Sequence, residues 1–234
     1  TLTPSPTDVP VQIGPIAPDG LGELIDALPG MAVAEVGLDA SLQVDLLMPG
    51  EEGVVAVEWV YALVAPFPTI QDQLSLEELR SVWRGEPAEG FGGAALLVSE
   101  ETRQVFGALW GPADSEWVLT VDPEELLDTA WEVNTWVLLP FDELKPRWKV
   151  LRVDNISPID KVFDVTAYPL AARFGVFGGG EGLAQLAASG AVLPLTNRDA
   201  AQMTDLLLTG VTALVRYTAL KMEQEGLTYP GEDI

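Results

Sequence analysis

Hydroxyl and guanidinium side chains stand at predicted strand and helix ends, where they are suited to bind a small anion. Thr69 follows an apolar run at residues 59–65, and Ser99 precedes a predicted helix that carries Thr102 and Arg103 in its first turn. Free backbone N–H groups and the helix dipole favour anions at a helix N-terminus. An arginine fork binds an oxyanion through two hydrogen bonds. We expect these four residues to line a ligand cleft.

Two aromatic residues are expected to form the walls of the same cleft. Phe141 and Tyr168 both lie in loops that follow predicted strands. Simpler roles stay open for two of the polar candidates: Ser99 is also a favoured helix N-cap residue, and Arg103 is also suited to pair with a surface carboxylate.

Acidic residues near these positions are interpreted as structural rather than metal-binding. Asp72, Asp142 and Asp154 lie in predicted loops, where aspartate commonly forms turns. Glu100 and Glu101 occupy the first turn of the helix after Ser99. Their charge already complements the helix dipole, which counts against a bound phosphate at that helix.

Composition excludes several kinds of chemistry. The 234-residue chain contains no Cys and no His, so thiol nucleophiles, disulfides and zinc–thiolate sites are absent, as is the commonest general base. We therefore predict no catalytic residues, no metal site and no cofactor for this chain. Enzymatic activity stays open, with carboxylate chemistry as the remaining route. A formal net charge of −24 argues against nucleic acid as a partner. No apolar run is long enough to predict a membrane span.

The local sequence around residues 58–85 predicts a strand followed by a capped helix. Aromatic and β-branched residues at 59–65 are typical of a buried strand. Ser75 and Glu78 have the spacing of a capping box, in which each side chain accepts a hydrogen bond from the other residue's backbone. We expect a helix from Leu76 to about Trp83, ended by Gly85.

The following region alternates predicted strands and helices, which favours a mainly parallel sheet with helical crossovers. The predicted strands are 94–98, 117–121, 135–139 and 150–153, and the predicted helices run from about 99 to 110 and from about 122 to 132. Shifts in composition predict the boundaries between parts. We expect a Pro-rich linker at 1–20, a first lobe at 21–85 with a return segment at 164–177, a second lobe at 94–163, and a separate C-terminal part at 178–234 that begins with a Gly-rich linker.

Several segments resemble periplasmic solute-binding proteins of the phosphate-binding type. The pattern is carried by Leu74–Leu79 with Trp83 and Gly85, by the strand end at Trp136–Leu144, and by 153–158 with 168–170. The resemblance implies a two-lobed α/β fold of type II, with mainly parallel sheets and a ligand cleft between the lobes. Phosphate binders of this family use a Ser-Gly-Thr type loop at the second-lobe helix, and residues 99–102 do not reproduce it.

The C-terminal residues carry a second resemblance, to CapA-like capsule-synthesis proteins linked to poly-γ-glutamate production. It rests on 206–216 and on the tail at 226–234. That fold is metallophosphoesterase-like and usually has a metal-binding Asp where this chain has Val211. The apolar stretch at 203–222 is predicted to be either one long helix or a strand followed by a helix.

These observations lead to three hypotheses of function. The first is an extracytoplasmic module of a CapA-like protein that binds a small ligand, such as a glutamate-type compound, or a cell-envelope partner. The second is a receptor of an ABC importer for phosphate or a related oxyanion. The third is a fragment of a metallophosphoesterase-like hydrolase. The first two place the chain outside the cytoplasm, secreted or anchored through a removed N-terminal segment.

Overall fold

The computed structural model divides the chain into two compact units, Thr1–Ala200 and Ala201–Ile234. It describes residues 8–34, 40–51, 53–87, 91–92, 95–190, 192–204 and 217–225. No helix within these ranges is long and apolar enough to cross a membrane.

The first unit alternates strands and helices along most of its length. The strands are β1 (Val9–Ile13), β2 (Met31–Val33), β3 (Leu42–Leu46), β4 (Val54–Pro66), β5 (Gln73–Leu74), β6 (Leu96–Val98), β7 (Val118–Thr120), β8 (Val137–Pro140), β9 (Trp148–Val150), β10 (Arg152–Val153), β11 (Ala171–Gly178) and β12 (Leu195–Thr196). The helices are α1 (Asp19–Asp26), α2 (Leu76–Trp83), α3 (Glu100–Trp110), α4 (Leu126–Val133) and α5 (Gly180–Ala188), and α6 (Tyr217–Glu225) belongs to the second unit.

The strands of the first unit form two lobes with the same topology. In lobe I the order is β2-β1-β3-β11-β4, and in lobe II it is β7-β6-β8-β4-β9. The first three strands of each lobe are parallel, the fourth is antiparallel to them, and the fifth is antiparallel to the fourth. The expected two-lobed α/β fold with mainly parallel pairing is therefore confirmed.

Strand β4 belongs to both lobes. Its first half pairs with β11, from Val54 to Val60, and its second half pairs with β8, starting at Tyr61 opposite Pro140. The dense apolar sequence fits this role, because β4 is covered on both faces and is buried from Trp59 to Pro66. We call Val60–Tyr61, where β4 passes from one lobe to the other, the hinge.

The passage between lobes therefore differs from the predicted boundary near Gly85. The second half of β4 already lies in lobe II, and α2 packs there too. The Trp83 indole N–H donates to the Gly111 carbonyl at 2.9 Å, and the Trp83 ring lies 6.2 Å from the Phe106 ring of α3. Sequence reasoning placed the boundary at the Gly-rich stretch, whereas the chain crosses inside a continuous strand.

The structure corrects the predicted linker at residues 1–20. Val9–Ile13 forms β1, which lies between β2 and β3 at the centre of the lobe I parallel strands. The segment was predicted to be a linker because it is rich in Pro, and Pro10 within β1 has no N–H group to donate. Pairing with β3 begins only at Val11, so the missing amide falls at the edge of that ladder. Residues 1–7 lie outside the described part of the chain.

The Gly-rich stretch at 177–182 is also not a linker. It contains the end of β11, which pairs with β3, and the start of α5, which packs against β1 and β11. A Cβ atom at Gly178 would lie 2.6 Å from the Ser41 carbonyl oxygen, and one at Gly182 would lie 3.0 Å from the same oxygen. These glycines therefore permit close approach of backbones.

The second unit is described in part. Residues 217–225 form α6. The predicted CapA-like pattern, including Val211, falls on residues 205–216 and 226–234, which lie outside the described residues. The choice between one long helix and a strand followed by a helix at 203–222 therefore stays open.

Helix α2 begins as the sequence predicts. The Glu78 N–H donates to Ser75 Oγ at 3.2 Å, and the Ser75 N–H donates to the Glu78 carboxylate at 2.8 Å. The Ser75 hydroxyl also donates to the Glu78 carboxylate at 2.7 Å, and this bond, followed by that of the Ser75 N–H, lowers the pKa of Glu78. Gly85 has a φ of 83°, as expected for a glycine that ends a helix. The capping-box prediction is confirmed.

Replacing the cap should weaken the fold measurably. We expect Ser75→Ala to lower the free energy of unfolding by about 1 kcal/mol, because a first-turn N–H loses its acceptor. For a chain of this size that corresponds to roughly 2–4 °C in thermal midpoint. Ser81→Ala, inside the same helix, is the control and should change the midpoint little. Equal effects of both substitutions would contradict this role for Ser75.

Candidate ligand-binding site at the hinge

Both lobes direct the carboxyl ends of their parallel strands toward the hinge. In lobe I, β1 leads into α1, which begins at Asp19. In lobe II, β6 leads into α3, and β8 ends at Pro140, directly opposite Tyr61 of β4. Ligands of open α/β sheets commonly bind beyond the carboxyl ends of the strands. The hinge is therefore the candidate site.

The first turns of α1 and α3 meet across the lobe boundary. The Glu101 carboxyl group of α3 lies next to the side chain and the backbone N–H of Asp19 in α1. Burial raises the pKa of Glu101, and the neighbouring Asp19 carboxyl group raises it further, whereas the Asp19 backbone N–H lowers it. Two carboxyl groups from different lobes thus lie in direct contact.

Two further acids follow β8 in a short 3-10 turn. Burial raises the pKa of Glu143 to about 7, with added contributions from the charges of Asp142 and Glu101. The amide nitrogen of Asn197 donates to Asp142 Oδ1 at 2.7 Å. We call Asp19, Glu101, Asp142 and Glu143 the acid cluster.

Asn197 also fastens the hinge itself. The Val60 N–H donates to Asn197 Oδ1 at 2.8 Å, and Asn197 Nδ2 donates to the Val60 carbonyl at 3.0 Å. Strand β12 stops pairing with β4 at Glu58, opposite Thr196. The Asn197 side chain therefore continues the ladder of hydrogen bonds along β4 as far as the hinge, where it also holds Asp142.

Two buried polar atoms on β4 have no hydrogen-bond partner. They are the hydroxyl of Tyr61, which is 0 % exposed, and the indole nitrogen of Trp59, which is 2 % exposed. Residues two apart in a strand share a face, and the Trp59 ring lies against Gly20 of α1 while the Tyr61 ring packs edge-on against Phe106 of α3 at 4.9 Å. Both side chains thus lie on the side that carries α1 and α3.

The Tyr61 hydroxyl lies in the field of the acid cluster. Burial raises the pKa of Tyr61, and the negative charges of Glu101, Asp142 and Glu143 raise it further. Buried hydroxyls are nearly always hydrogen-bonded to protein, water or ligand. The unpaired Tyr61 hydroxyl beside several carboxyl groups therefore marks a place for a polar ligand atom or a water molecule.

Of the predicted site residues, Tyr168 contacts the hinge directly, Ser99 and Thr102 lie at the start of α3, and Phe141 directly follows β8. Ser99 caps α3 by accepting the Thr102 N–H at 3.2 Å, and its hydroxyl donates to the Thr102 hydroxyl at 3.0 Å. The buried Tyr168 hydroxyl donates to the Tyr61 carbonyl at 2.9 Å. Phe141 begins the turn after β8 and packs against the Arg198 guanidinium, 5.8 Å from the ring centre.

The structure does not bring Arg103 and Thr69 to this group. Arg103 is exposed and forms two hydrogen bonds with Glu100, at 2.7 and 2.9 Å. Thr69 follows Pro66, which pairs with Trp148 five residues beyond the hinge. At roughly 3.3 Å per residue, the end of β4 is about 16 Å from Tyr61. β4 runs antiparallel in lobe II, so its carboxyl end points away from the site.

The acid cluster and Tyr61 are the residues that sequence reasoning missed as site candidates. Asp142 and Glu143 directly follow a predicted buried strand, and Glu101 is in the first turn of a predicted helix. A strand end and a helix start are positions where α/β folds bind ligands, so the sequence could have identified these three acids. Asp19 was assigned to a predicted linker, and Tyr61 lies within an apolar run that was interpreted only as a buried strand. Within the described residues no group of acidic side chains has the arrangement needed to hold a metal ion.

Comparison with known proteins supports the fold. No protein-family model matches the chain, and no curated protein sequence matches it. The structure is similar to an ABC-type phosphate transport receptor from Vibrio cholerae, with a TM-score of 0.58 and 13 % identity over 80 % of this chain and 100 % of that one. It is also similar to a possible phosphate-binding protein from Planctomyces limnophilus, with a TM-score of 0.52 and 10 % identity over 78 % of this chain and 85 % of that one. The chain therefore has the fold of periplasmic solute-binding proteins.

Removing the Asn197 side chain should destabilise the protein. In Asn197→Ala the buried N–H and carbonyl of Val60 lose their partners, which costs about 2 kcal/mol. A decrease of about 4–8 °C in thermal midpoint is expected. Gln104→Ala, which removes an exposed amide on α3, is the control. A midpoint equal to that of the control would show that Asn197 does not fasten β4.

The raised pKa of Glu143 predicts a pH-dependent loss of stability. Its pKa is about 7 in the folded chain against an ordinary value of 4.5, so between these values the folded state binds more protons than the unfolded state. Stability from this group therefore falls as pH rises from about 4.5 to about 7. Because Glu143 is partly exposed, we expect the thermal midpoint to fall by only a few degrees over this pH range. For a chain of this size, a loss of 1 kcal/mol corresponds to about 2–4 °C.

Thermal unfolding of Glu143→Gln across pH 4–8 tests this behaviour. The midpoint of the variant should gain on that of the unmodified chain as pH rises through this window. Glu132→Gln, which removes an exposed carboxylate on α4, is the control and should show no such trend. A difference between Glu143→Gln and the unmodified chain that does not change with pH would contradict the assignment.

Proposed function

We propose that this chain is an extracytoplasmic binding module that holds a small solute at the hinge between its two lobes. The fold supports this proposal, since it has the two-lobed topology of solute-binding proteins. The hinge supports it as well, because both lobes contribute the first turn of a helix there. The catalytic alternative, a metallophosphoesterase-like hydrolase, stays a prediction from residues that lie outside the described part of the chain.

The observation that carries the proposal is the unpaired Tyr61 hydroxyl. It is buried on the strand that both lobes share, among carboxyl groups that come from either side of the boundary. A ligand bound there would contact α1, α3 and β4 together. Binding would thereby hold the two lobes in one arrangement.

A receptor for a phosphate-type oxyanion is the second candidate. It is favoured by the two solved structures described above, since both are named for phosphate. The acid cluster weighs against it, because a bound oxyanion would meet negative charge. The capsule-linked role of a CapA-like protein gains no support from the comparisons and stays a prediction from residues 206–216 and 226–234.

A thermal-shift screen of the full chain tests the proposal. The panel contains phosphate, sulfate, molybdate, glutamate and putrescine, each at constant ionic strength. A solute present at one hundred times its Kd should stabilise the fold by about 2.7 kcal/mol, or roughly 5–10 °C. Tyr61→Phe should weaken this response, whereas Thr69→Ala, at the far end of β4, should not. No response to any solute, or a response that Tyr61→Phe leaves unchanged, would contradict a binding site at the hinge.

A further inference from the structure

We propose that the hinge site takes a small ligand carrying a protonated amine rather than an oxyanion. This inference rests on the proposed function and defines the chemical class of its solute. It follows from three features of the hinge: the charge of its carboxyl groups, the filling of the α1 N-terminus by a carboxyl group of the protein, and the unpaired Tyr61 hydroxyl.

The acid cluster is poorly compensated by the basic side chains around it. Lys145 offsets part of the charge felt by Glu143. Arg103 faces Glu100 on the outer surface of α3. Arg198 donates to two backbone carbonyls, those of Pro158 at 2.6 Å and Asp160 at 2.8 Å. The cluster thus keeps an excess of negative charge, and a ligand cation would neutralise it.

The place where an anion would bind is already occupied by the protein. An oxyanion in a site of this kind would accept hydrogen bonds from the first-turn N–H groups of a helix. At α1 the carboxyl group of Glu101 takes that position, through its contact with the Asp19 N–H. An incoming oxyanion would have to displace Glu101 and then lie beside it. An ammonium group would instead add an attractive partner to both carboxyl groups.

The Tyr61 hydroxyl supplies a second and independent mark of a ligand. It is fully buried, has no hydrogen-bond partner, and lies in the field of Glu101, Asp142 and Glu143. A hydroxyl both donates and accepts. It can therefore accept an N–H from a ligand ammonium. The three donors of an ammonium would then be shared among carboxyl oxygens and this hydroxyl.

Titration calorimetry with matched solutes tests the charge of the ligand. Putrescine is the cationic probe, 1,4-butanediol is its neutral counterpart of the same length, and succinate and sulfate are the anionic probes. Saturable binding of putrescine is expected, with a Kd at least tenfold lower than that of the diol or of either anion. Addition of salt should weaken the binding, as it does for charge pairs that solvent can reach.

The direction of proton transfer gives an independent reading of the same site. At pH 6.5, below its pKa of about 7, the Glu143 carboxyl group is partly protonated. A bound cation favours the ionised form of this group, so putrescine should release protons, whereas sulfate should take them up. Calorimetry in two buffers of different ionisation enthalpy measures this sign. Proton uptake with putrescine would overturn the proposal.

Three substitutions locate the binding. Glu101→Gln and Asp142→Asn should each raise the Kd for putrescine about tenfold, and the second keeps an oxygen that can accept from Asn197. Tyr61→Phe should also weaken binding while leaving the ligand-free midpoint equal or higher, because an unpaired buried hydroxyl is removed. Glu132→Gln removes the same charge from an exposed position and should change the Kd less than twofold. Equal effects of Glu101→Gln and Glu132→Gln would contradict the site.

The outcomes separate this inference from the proposed function. If sulfate or succinate binds, and Tyr61→Phe weakens that binding while putrescine shows none, the chain is a solute-binding module and the amine assignment is wrong. If no probe binds saturably, both proposals fail. If putrescine binds with proton release and responds to the hinge substitutions, both hold.

Discussion

A single strand shared by two sheets is the constraint on which the rest of the structure depends. β4 completes the pairing of lobe I up to Val60 and begins the pairing of lobe II at Tyr61. Because the side-chain period of a strand is two, the residues that face α1 and those that face α3 are set by one register. The two first-turn carboxyl groups, Asp19 and Glu101, meet because that register places their helices on the same side of β4.

The hinge combines a rigid backbone with an unbalanced polar environment. Val60 is paired with β11 on one side and with the side chain of Asn197 on the other. The polar side chains next to Val60 lack hydrogen bonds, since the Tyr61 hydroxyl and the Trp59 indole nitrogen have no partner. Buried polar groups without partners are rare in proteins and often mark functional positions. A solute that completes these contacts would bind without rearranging the strand.

Like charges at the lobe boundary raise the pKa values of the carboxyl groups there. Glu101 lies next to Asp19 across the boundary, and Glu143 has a pKa raised to about 7. A protonated amine, as proposed above, would favour loss of the proton from Glu143, whereas a bound anion would favour its retention. The proposed charge of the ligand is thus argued from the carboxyl groups at the hinge and not from the likeness to phosphate receptors.

Local signals in the sequence predicted part of this structure. The capping box at Ser75 and the helix stop at Gly85 depend on neighbours in the chain, and both were predicted correctly. The role of β4 was missed because pairing partners at 137–140 and 171–176 are distant in sequence. Gly178 suggested a linker, although its hydrogen side chain is needed for contact with the Ser41 carbonyl. Local patterns define elements, whereas the site arises from contacts between elements.

Hydrogen–deuterium exchange with and without putrescine tests the central claim most directly. A ligand held at the hinge should slow amide exchange in the first turns of both α1 and α3, which belong to different lobes, and around Val60 and Tyr61. The loop at residues 67–72, at the far end of β4, should be unaffected. Slower exchange in one lobe alone, or in the 67–72 loop instead of the hinge, would contradict a site shared by the two lobes.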